Sequence, residues 1–208
     1  MQKNRYPRRS DSISPIVVKV GGSLINRLTG LLPVLQQSSR PLFIVPGGGL
    51  FADSVRDLGI SDDTAAHWMA VAAMDQYGWF LSSHGLETTD ALEVPVTPVV
   101  FLPYVSLRHN DPLPHKWDIT SDTISAWVAN FLDLELLLLK SVDGIIISGE
   151  LQETVNKPVE CDQVDPFFLN YVLENRIRTS IINGSVEGRV EKYLKGENVP
   201  GTAIGTTF

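Results

Sequence analysis

A chain of 208 residues with 43% hydrophobic and 20% charged side chains has the make-up of a folded globular protein. It is long enough for one sizeable α/β domain or two lobes sharing a sheet, and too apolar for a disordered chain. A formal net charge of −7 argues against a life on nucleic acid or anionic lipid, and no apolar run approaches the roughly 18 residues of a membrane span.

The basic opening, 1-MQKNRYPRRSDS-12, is followed by no apolar region of a signal peptide and reads as a flexible tail, residues 1–14, ahead of one domain over 15–208. The stretch 16-IVVKVGGSLI-25 reads as a strand buried on both faces, as in a parallel sheet covered by helices. Lys19 interrupts it. A buried ammonium is costly unless an anion meets it, so Lys19 either pairs with a carboxylate such as Asp122 or Asp143 or awaits a charged ligand at the strand's end. Helical signals over 27–37, weakened by Gly30 and Pro33, lead to a second buried strand that ends in a second glycine turn, 42-LFIVPGGG-49. Helices follow at 50–59 and 62–85, the latter with Asp62 or Asp63 as N-cap. A strand at 96–102 runs into the proline-rich segment 103–118, expected to be a long loop of the kind that binds something or covers a site.

Residues 119–133 read as a capped helix with Ile124, Trp127, Val128 and Phe131 on one stripe. A very apolar strand, 134-LELLLLKSVDG-144, ends in another turn. The remainder reads as a helix at 165–176, a strand at 179–184, a short helix at 187–196 and a last, edge strand at 201–205. Strands alternating with helices give an α/β class with a mainly parallel sheet. The single cysteine, Cys161, precludes an intramolecular disulfide and a cysteine-based zinc site and fits a reducing, cytoplasmic setting.

In open α/β sheets, ligands sit beyond the C-terminal ends of the strands. Those ends carry Gly21, Gly22 and Ser23, then Gly47, Gly48 and Gly49, then Asp143 and Gly144, then Asn183 and Gly184. Glycine admits close backbone approach, and free N–H groups at helix starts bind anions. Two such turns facing each other would hold a donor and an acceptor phosphate across a short gap, the outline of phosphoryl transfer, with Lys19 tracking the group in flight. Each signal is weak alone: a GGS or GGG turn is most often only a tight turn, and Lys19 could be a structural ion-pair partner. The chain has neither GxxxxGK[ST] nor GxGxxG. Its four histidines show no metal-ligand spacing, and no protein metal ligands are assigned.

Taken in order, VVKVGGSLI, IVPGGGLFADSVR, ITSDTISAWVA, LLLLKSVDGI and IINGSVEGRVEKYLKGENVPGTAI resemble the amino acid kinase superfamily over residues 15–205. The resemblance implies a three-layer αβα sandwich, with an acceptor lobe over about 15–133 and a nucleotide lobe over about 134–208. It implies transfer from ATP with Mg2+, without a P-loop, to a carboxylate, phosphate or related oxygen. Lys19 takes the role of the phosphate-stabilising lysine, and Asp122 that of the aspartate orienting it. Gly21, Gly22 and Ser23 match the nucleotide-phosphate turn, with Asp143, Gly144, Asn183 and Gly184 beside the nucleotide and the Gly201–Thr202 pair on the C-terminal signature. Gly47, Gly48 and Gly49 match the turn facing the acceptor. Lys140 stands where threonine or serine is common and is expected to reach nucleotide phosphates.

The second lysine of the acetylglutamate-type branch has no counterpart in 161-CDQVDPFF-168, which favours a phosphate acceptor, as in the uridylate-type branch. Small size together with 117-WDITSDTISAWVA-129 resembles the branch acting in methanofuran biosynthesis, where [5-(aminomethyl)furan-3-yl]methyl phosphate becomes its diphosphate. For such an acceptor Arg56 is the candidate phosphate ligand, Asp53, Asp62 or Asp63 meets the amine, and Trp68, Trp117 or His67 borders the ring. The competing readings are a kinase of uridylate or isopentenyl phosphate, and a non-catalytic binding or storage protein on the same scaffold. The resemblance further implies a homo-oligomer.

Overall fold

The computed structural model describes residues 14–205; the segment read as a basic tail lies outside the described residues but for Ser14. The first strand, β1 (Ile16–Val20), is buried at every position, as its composition demands. It lies between β2 (Leu42–Pro46) and β5 (Glu135–Lys140), parallel to both. Outward from β2 come β4 (Val99–Phe101) and β3 (Glu87–Thr89). Outward from β5 come β9 (Thr179–Asn183), β10 (Gly201–Ile204) and β8 (Thr154–Val155). The result is an eight-stranded sheet in the order β3-β4-β2-β1-β5-β9-β10-β8, in which β9–β10 is the one antiparallel pairing among the described residues. A separate hairpin joins β6 (Ile146–Ile147) to β7 (Glu150–Leu151).

Because side chains alternate across a strand, the sheet feeds two cores. Ile16, Val18 and Val20, with Ile44 and Leu137, pack under α1 (Leu28–Gln36) and α7 (Arg189–Leu194). Val17, with Phe43, Val45, Leu136 and Leu138, packs under α5 (Ser121–Leu132) and α6 (Phe168–Glu174). The three-layer αβα arrangement follows from that alternation, and it puts Lys19, two residues after Val17, on the face covered by α5. Two further helices, α2 (Gly49–Asp57) and α3 (Asp63–Ser82), follow β2. Asp62 is the N-cap of α3, accepting from the Thr64 and Ala65 amides at 2.9 and 3.1 Å.

Three expectations change. The segment 103–118 is not one long loop: Pro103–Asn110 form α4, started by Pro103 at its first position and by the Asp75 carboxylate on the Tyr104 amide at 3.0 Å. Proline is pre-organised for a helix start, so its abundance there marks a beginning as well as an end. The strand at 201–204 is not an edge, since β8 pairs beyond it. Phe131 is 53% exposed, whereas Ile124, Trp127 and Val128 of the same stripe are buried.

Candidate active site

At the C-terminal end of β1 the chain enters a tight 3-10 turn over Gly22–Arg27, and at the end of neighbouring β2 it enters α2. The Gly47 amide donates to the Val20 carbonyl at 2.8 Å. A Cβ on Gly22 would lie 2.0 Å from the Gly49 Cα, and Gly49 itself has φ +52°. The two glycine turns therefore touch backbone to backbone, an approach that only glycine at position 22 permits. Tyr77 of α3 supports them from beneath, its hydroxyl donating to the Gly21 carbonyl at 3.4 Å.

Above the turns opens a cavity of about 590 Å³. Gly21, Gly22, Ser23, Gly48 and Gly49 form its floor, Lys19, Lys140, Thr120 and Ser121 one wall, and Asp53, Arg56, Asp63, His67, Lys116 and Trp117 another. Of the residues singled out in the sequence, Gly47 lies just behind this lining, Asp62 is spent as a cap and Trp68 belongs to the core.

The charges of the first wall meet in one carboxylate. Asp122, 3% exposed in the first turn of α5, has Lys19 Nζ 2.7 Å from Oδ1 and Lys140 Nζ 2.7 Å from Oδ2. Lys140 donates a directed hydrogen bond. Lys19 stands equally close to the other oxygen, so the two ammonium groups divide the carboxylate between them. Burial alone would raise the Asp122 pKa, but the Lys19 and Lys140 charges outweigh it and hold the carboxyl below its ordinary range. Burial, and then the neighbouring Lys19 charge, pull Lys140 below the ordinary lysine range against the attraction of Asp122. Lys140 is the more accessible ammonium, its side chain 19% exposed against 6% for Lys19. Two cations around one anion leave this wall with net positive charge, which suits an anionic ligand.

The second wall is partly aromatic. Arg56 is held by Asp53 at 3.1 Å and lies over the Trp117 ring, 5.1 Å from its centroid. His67 stacks on His115 at 4.5 Å, and His115 is fixed by Thr64 and by Asp111. Burial, with the His115 ring adding to it, lowers the His67 pKa to about 4, so the imidazole facing the cavity is neutral near pH 7. This wall draws Lys116 and Trp117 from the segment after α4.

The remaining predicted residues form a neighbouring cluster rather than part of this cavity. Asn183 lies in register beside Lys140, and the Gly184 amide donates to the Lys140 carbonyl at 2.9 Å. Asp143 accepts from Asn183 at 3.1 Å and from Arg189 at 2.5 Å, bonds that depress its pKa. A Cβ on Gly144 would stand 2.3 Å from Thr202 Oγ1. That hydroxyl accepts from the Ile145 amide and donates to the Gln152 carbonyl, so Thr202 pins the 144–152 hairpin to β10. Among the described residues no three His, Cys, Asp or Glu side chains are grouped to hold a metal ion. No helix among them is long and apolar enough to cross a membrane.

Two features escaped the sequence reading: the bond from Lys140 to Asp122, and Asp165, which grips the start of α5. The N-cap pattern T-S-D-T signals where that helix starts, but nothing local says which distant acid meets it.

The chain is 30% identical over 203 residues to [5-(aminomethyl)furan-3-yl]methyl phosphate kinase of Methanocaldococcus jannaschii, covering 88% of this chain and 94% of that protein. No protein-family model matches. Among solved structures, UMP kinase from Ureaplasma parvum superposes with a TM-score of 0.70 at 18% identity, over 93% of this chain and 100% of that one. Uridylate kinase from Archaeoglobus fulgidus gives 0.62 at 22% identity, over 91% and 99%. An isopentenyl phosphate kinase gives 0.62 at 18% identity, over 91% and 100%.

Proposed function

Because the chain belongs to the amino acid kinase family and is a phosphotransferase, we propose that it transfers the γ-phosphoryl group of ATP to the phosphate of [5-(aminomethyl)furan-3-yl]methyl phosphate, making the diphosphate. The observation that carries this reading is the contact of the two glycine turns beneath two ammonium groups that share Asp122. Backbone amides and fixed cations around a small gap are what phosphoryl transfer needs, since positioning and charge stabilisation supply most of its rate.

Transfer breaks the bridging bond between the γ-phosphorus and the leaving ADP and joins that phosphorus to an acceptor phosphate oxygen. A phosphate monoester has its second pKa near 6, so the attacking oxygen is already ionised at neutral pH and no general base is required. The buried titratable groups around the cavity are poor bases: Asp122 is committed to two lysines, and His67 has a pKa of about 4. That agrees better with a phosphate acceptor than with a hydroxyl. Lys19 and Lys140 take the charge of the transferring group, Gly21, Gly22 and Ser23 the donor phosphates, and Gly48 and Gly49 the acceptor side, with Gly47 behind them joining the turn to β1. Asp143, Gly144, Asn183 and Gly184 border the nucleotide. Mg2+ would neutralise phosphate charge, its ligands coming chiefly from the nucleotide, since no carboxylate cluster among the described residues is grouped for it. On the second wall Arg56 meets the acceptor phosphate, Asp53 and Asp63 its ammonium, and Trp117 and His67 its ring.

The test is an acceptor screen with MgATP, reading ADP release and product mass. Diphosphate formed from the furan phosphate, well ahead of uridylate and isopentenyl phosphate, is the expected result. Turnover with one of the other phosphates alone would move the acceptor assignment. Transfer to none would favour a binding protein on this fold.

A further inference from the structure

Asp165 lies outside the cavity lining, yet it is a carboxylate only 7% exposed. Its Oδ2 accepts from the Thr120 amide at 3.0 Å, the Thr120 hydroxyl at 2.9 Å and the Thr123 amide at 3.0 Å. Its Oδ1 accepts from the Thr123 hydroxyl at 2.6 Å and from the Phe167 amide of its own turn at 3.2 Å. The two gripped residues, Thr120 and Thr123, bracket Asp122. The Thr120 hydroxyl also accepts from the Asp122 amide at 3.3 Å, so one hydroxyl ties Asp165 directly to the backbone of the residue that holds both lysines.

Capping α5 does not by itself account for this. Thr120 is the N-cap and takes only the Asp122 amide; Asp165 adds a second cap on the Thr123 amide, but its bonds to both threonine hydroxyls go beyond what a helix start asks for. A second buried carboxylate close to Asp122 carries a cost: burial first, and then the Asp122 charge, raise the Asp165 pKa against the bonds from Thr123 and Thr120. All five contacts to its two oxygens are donors, an arrangement built for the ionised carboxylate, which supplies rigidity around Asp122 and a negative charge behind Lys140.

We propose that Asp165 is a positioning residue for phosphoryl transfer: by clamping Thr120 and Thr123 it fixes the Asp122 carboxylate, and through it the Lys19 and Lys140 ammonium groups, in the cavity wall. This rests on the reading that those two cations stabilise the transferring group. The charged and titratable groups that bear on Lys140 are Lys19 from β1, Asp122 from α5, and Asp165 and Cys161 from the segment before α6. Of these, Lys19 opposes protonation of Lys140, whereas Asp122 and Asp165 favour it.

The experiment compares Asp165→Asn with the wild type in two ways. Competitive acetylation of the ligand-free protein, followed by mass spectrometry across pH, reads the Lys140 titration without any acceptor. Steady-state kinetics with MgATP and the furan phosphate read turnover. Asparagine keeps the shape and removes the charge, so the Lys140 midpoint should move to lower pH. Turnover should fall roughly tenfold, on the order of a weakened electrostatic contact, with the KM for ATP changed less than about threefold. An unmoved Lys140 midpoint overturns the proposal. So does unchanged turnover, or a loss of turnover that disappears on cooling in step with thermal unfolding. If Asp165→Asn does not fold, Thr123→Val, which deletes the 2.6 Å hydroxyl bond, must move the midpoint in the same direction by a smaller amount, and no movement overturns it equally. A wild type inactive on the furan phosphate counts against the acceptor assignment alone, because the acetylation result is obtained without it.

Discussion

Gly22 and Gly49 meet so closely that a methyl group on the first would stand 2.0 Å from the Cα of the second. Gly22→Ala must therefore push the two turns apart, and a displacement near 1 Å costs roughly 100-fold in rate. We expect kcat/KM to fall by at least that factor. Gly30, in the exposed flank of α1, has nothing within 4 Å of where a methyl group would sit and is the matched control. Gly30→Ala should leave kinetics unchanged and stabilise the fold by about 0.5–1 kcal/mol in urea titrations.

Removing Lys19 and removing Asp122 should have different consequences. Lys19→Met leaves Asp122 paired with Lys140, so the protein folds while kcat drops roughly 100-fold or more, as when a preorganised electrostatic partner is lost. Asp122→Ala removes the carboxylate that both ammonium groups share, at a cost of about 3–5 kcal/mol. Chemical denaturation of the two variants side by side separates these effects; equal losses of stability would contradict a shared carboxylate.

Lys140 should set the alkaline limb of the rate. Burial and the Lys19 charge place its pKa below the ordinary lysine range, so kcat falls as pH rises through a window under that range. Stability moves the other way. In the same window the unfolded chain binds the extra proton, so the folded state gains stability with rising pH. Lys140→Arg, which stays charged, should lose the limb in a kcat–pH profile; a limb that persists belongs to another group.

His67 has the corresponding effect on the acid side. Its pKa falls from an ordinary 6.5 to about 4, so between those values the unfolded chain binds more protons than the folded one. Stability is therefore lost as pH drops from 6.5 towards 4. His67→Gln should flatten that part of a stability–pH curve measured by urea unfolding. An unchanged slope would mean the ring titrates normally.

Arg56 lies on the acceptor wall, over Trp117 and beside Asp53. Arg56→Lys should raise the acceptor KM roughly tenfold while leaving the KM for ATP within about twofold, because a point charge replaces a stacked, forked donor. A rise confined to ATP would reassign the wall.

Much of this arrangement was legible in the chain. The all-apolar runs of β1, β2 and β5 announce a doubly covered sheet, and the spacing of Lys19 from Val17 fixes its face once alternation is applied. Asp122 as its partner was one of two acids the sequence offered, and the helix face settles the choice. The link from Lys140 to Asp122 was not legible, because it depends on how far α5 is set against β5. Asp165 was hidden for the same reason: its four contacts to Thr120 and Thr123 cross between segments more than a helix apart in the chain. The reading of 103–118 as loop failed on proline, which both starts α4 at Pro103 and closes the segment after Asn110. Short strands such as β3, with only three residues, carry too little pattern to be seen.

The pairing of β1 with β2 on one side and β5 on the other places Ile16 opposite both Leu42 and Glu135. On the ribosome, the first of these neighbours emerges early and the second only after the whole of α5 has been made. A chain that ends before α5 lacks both Asp122 and Lys140, so it cannot form the buried group in which Lys19 is paired. Long-range closure of this kind also slows refolding of the finished protein relative to a chain built from local contacts.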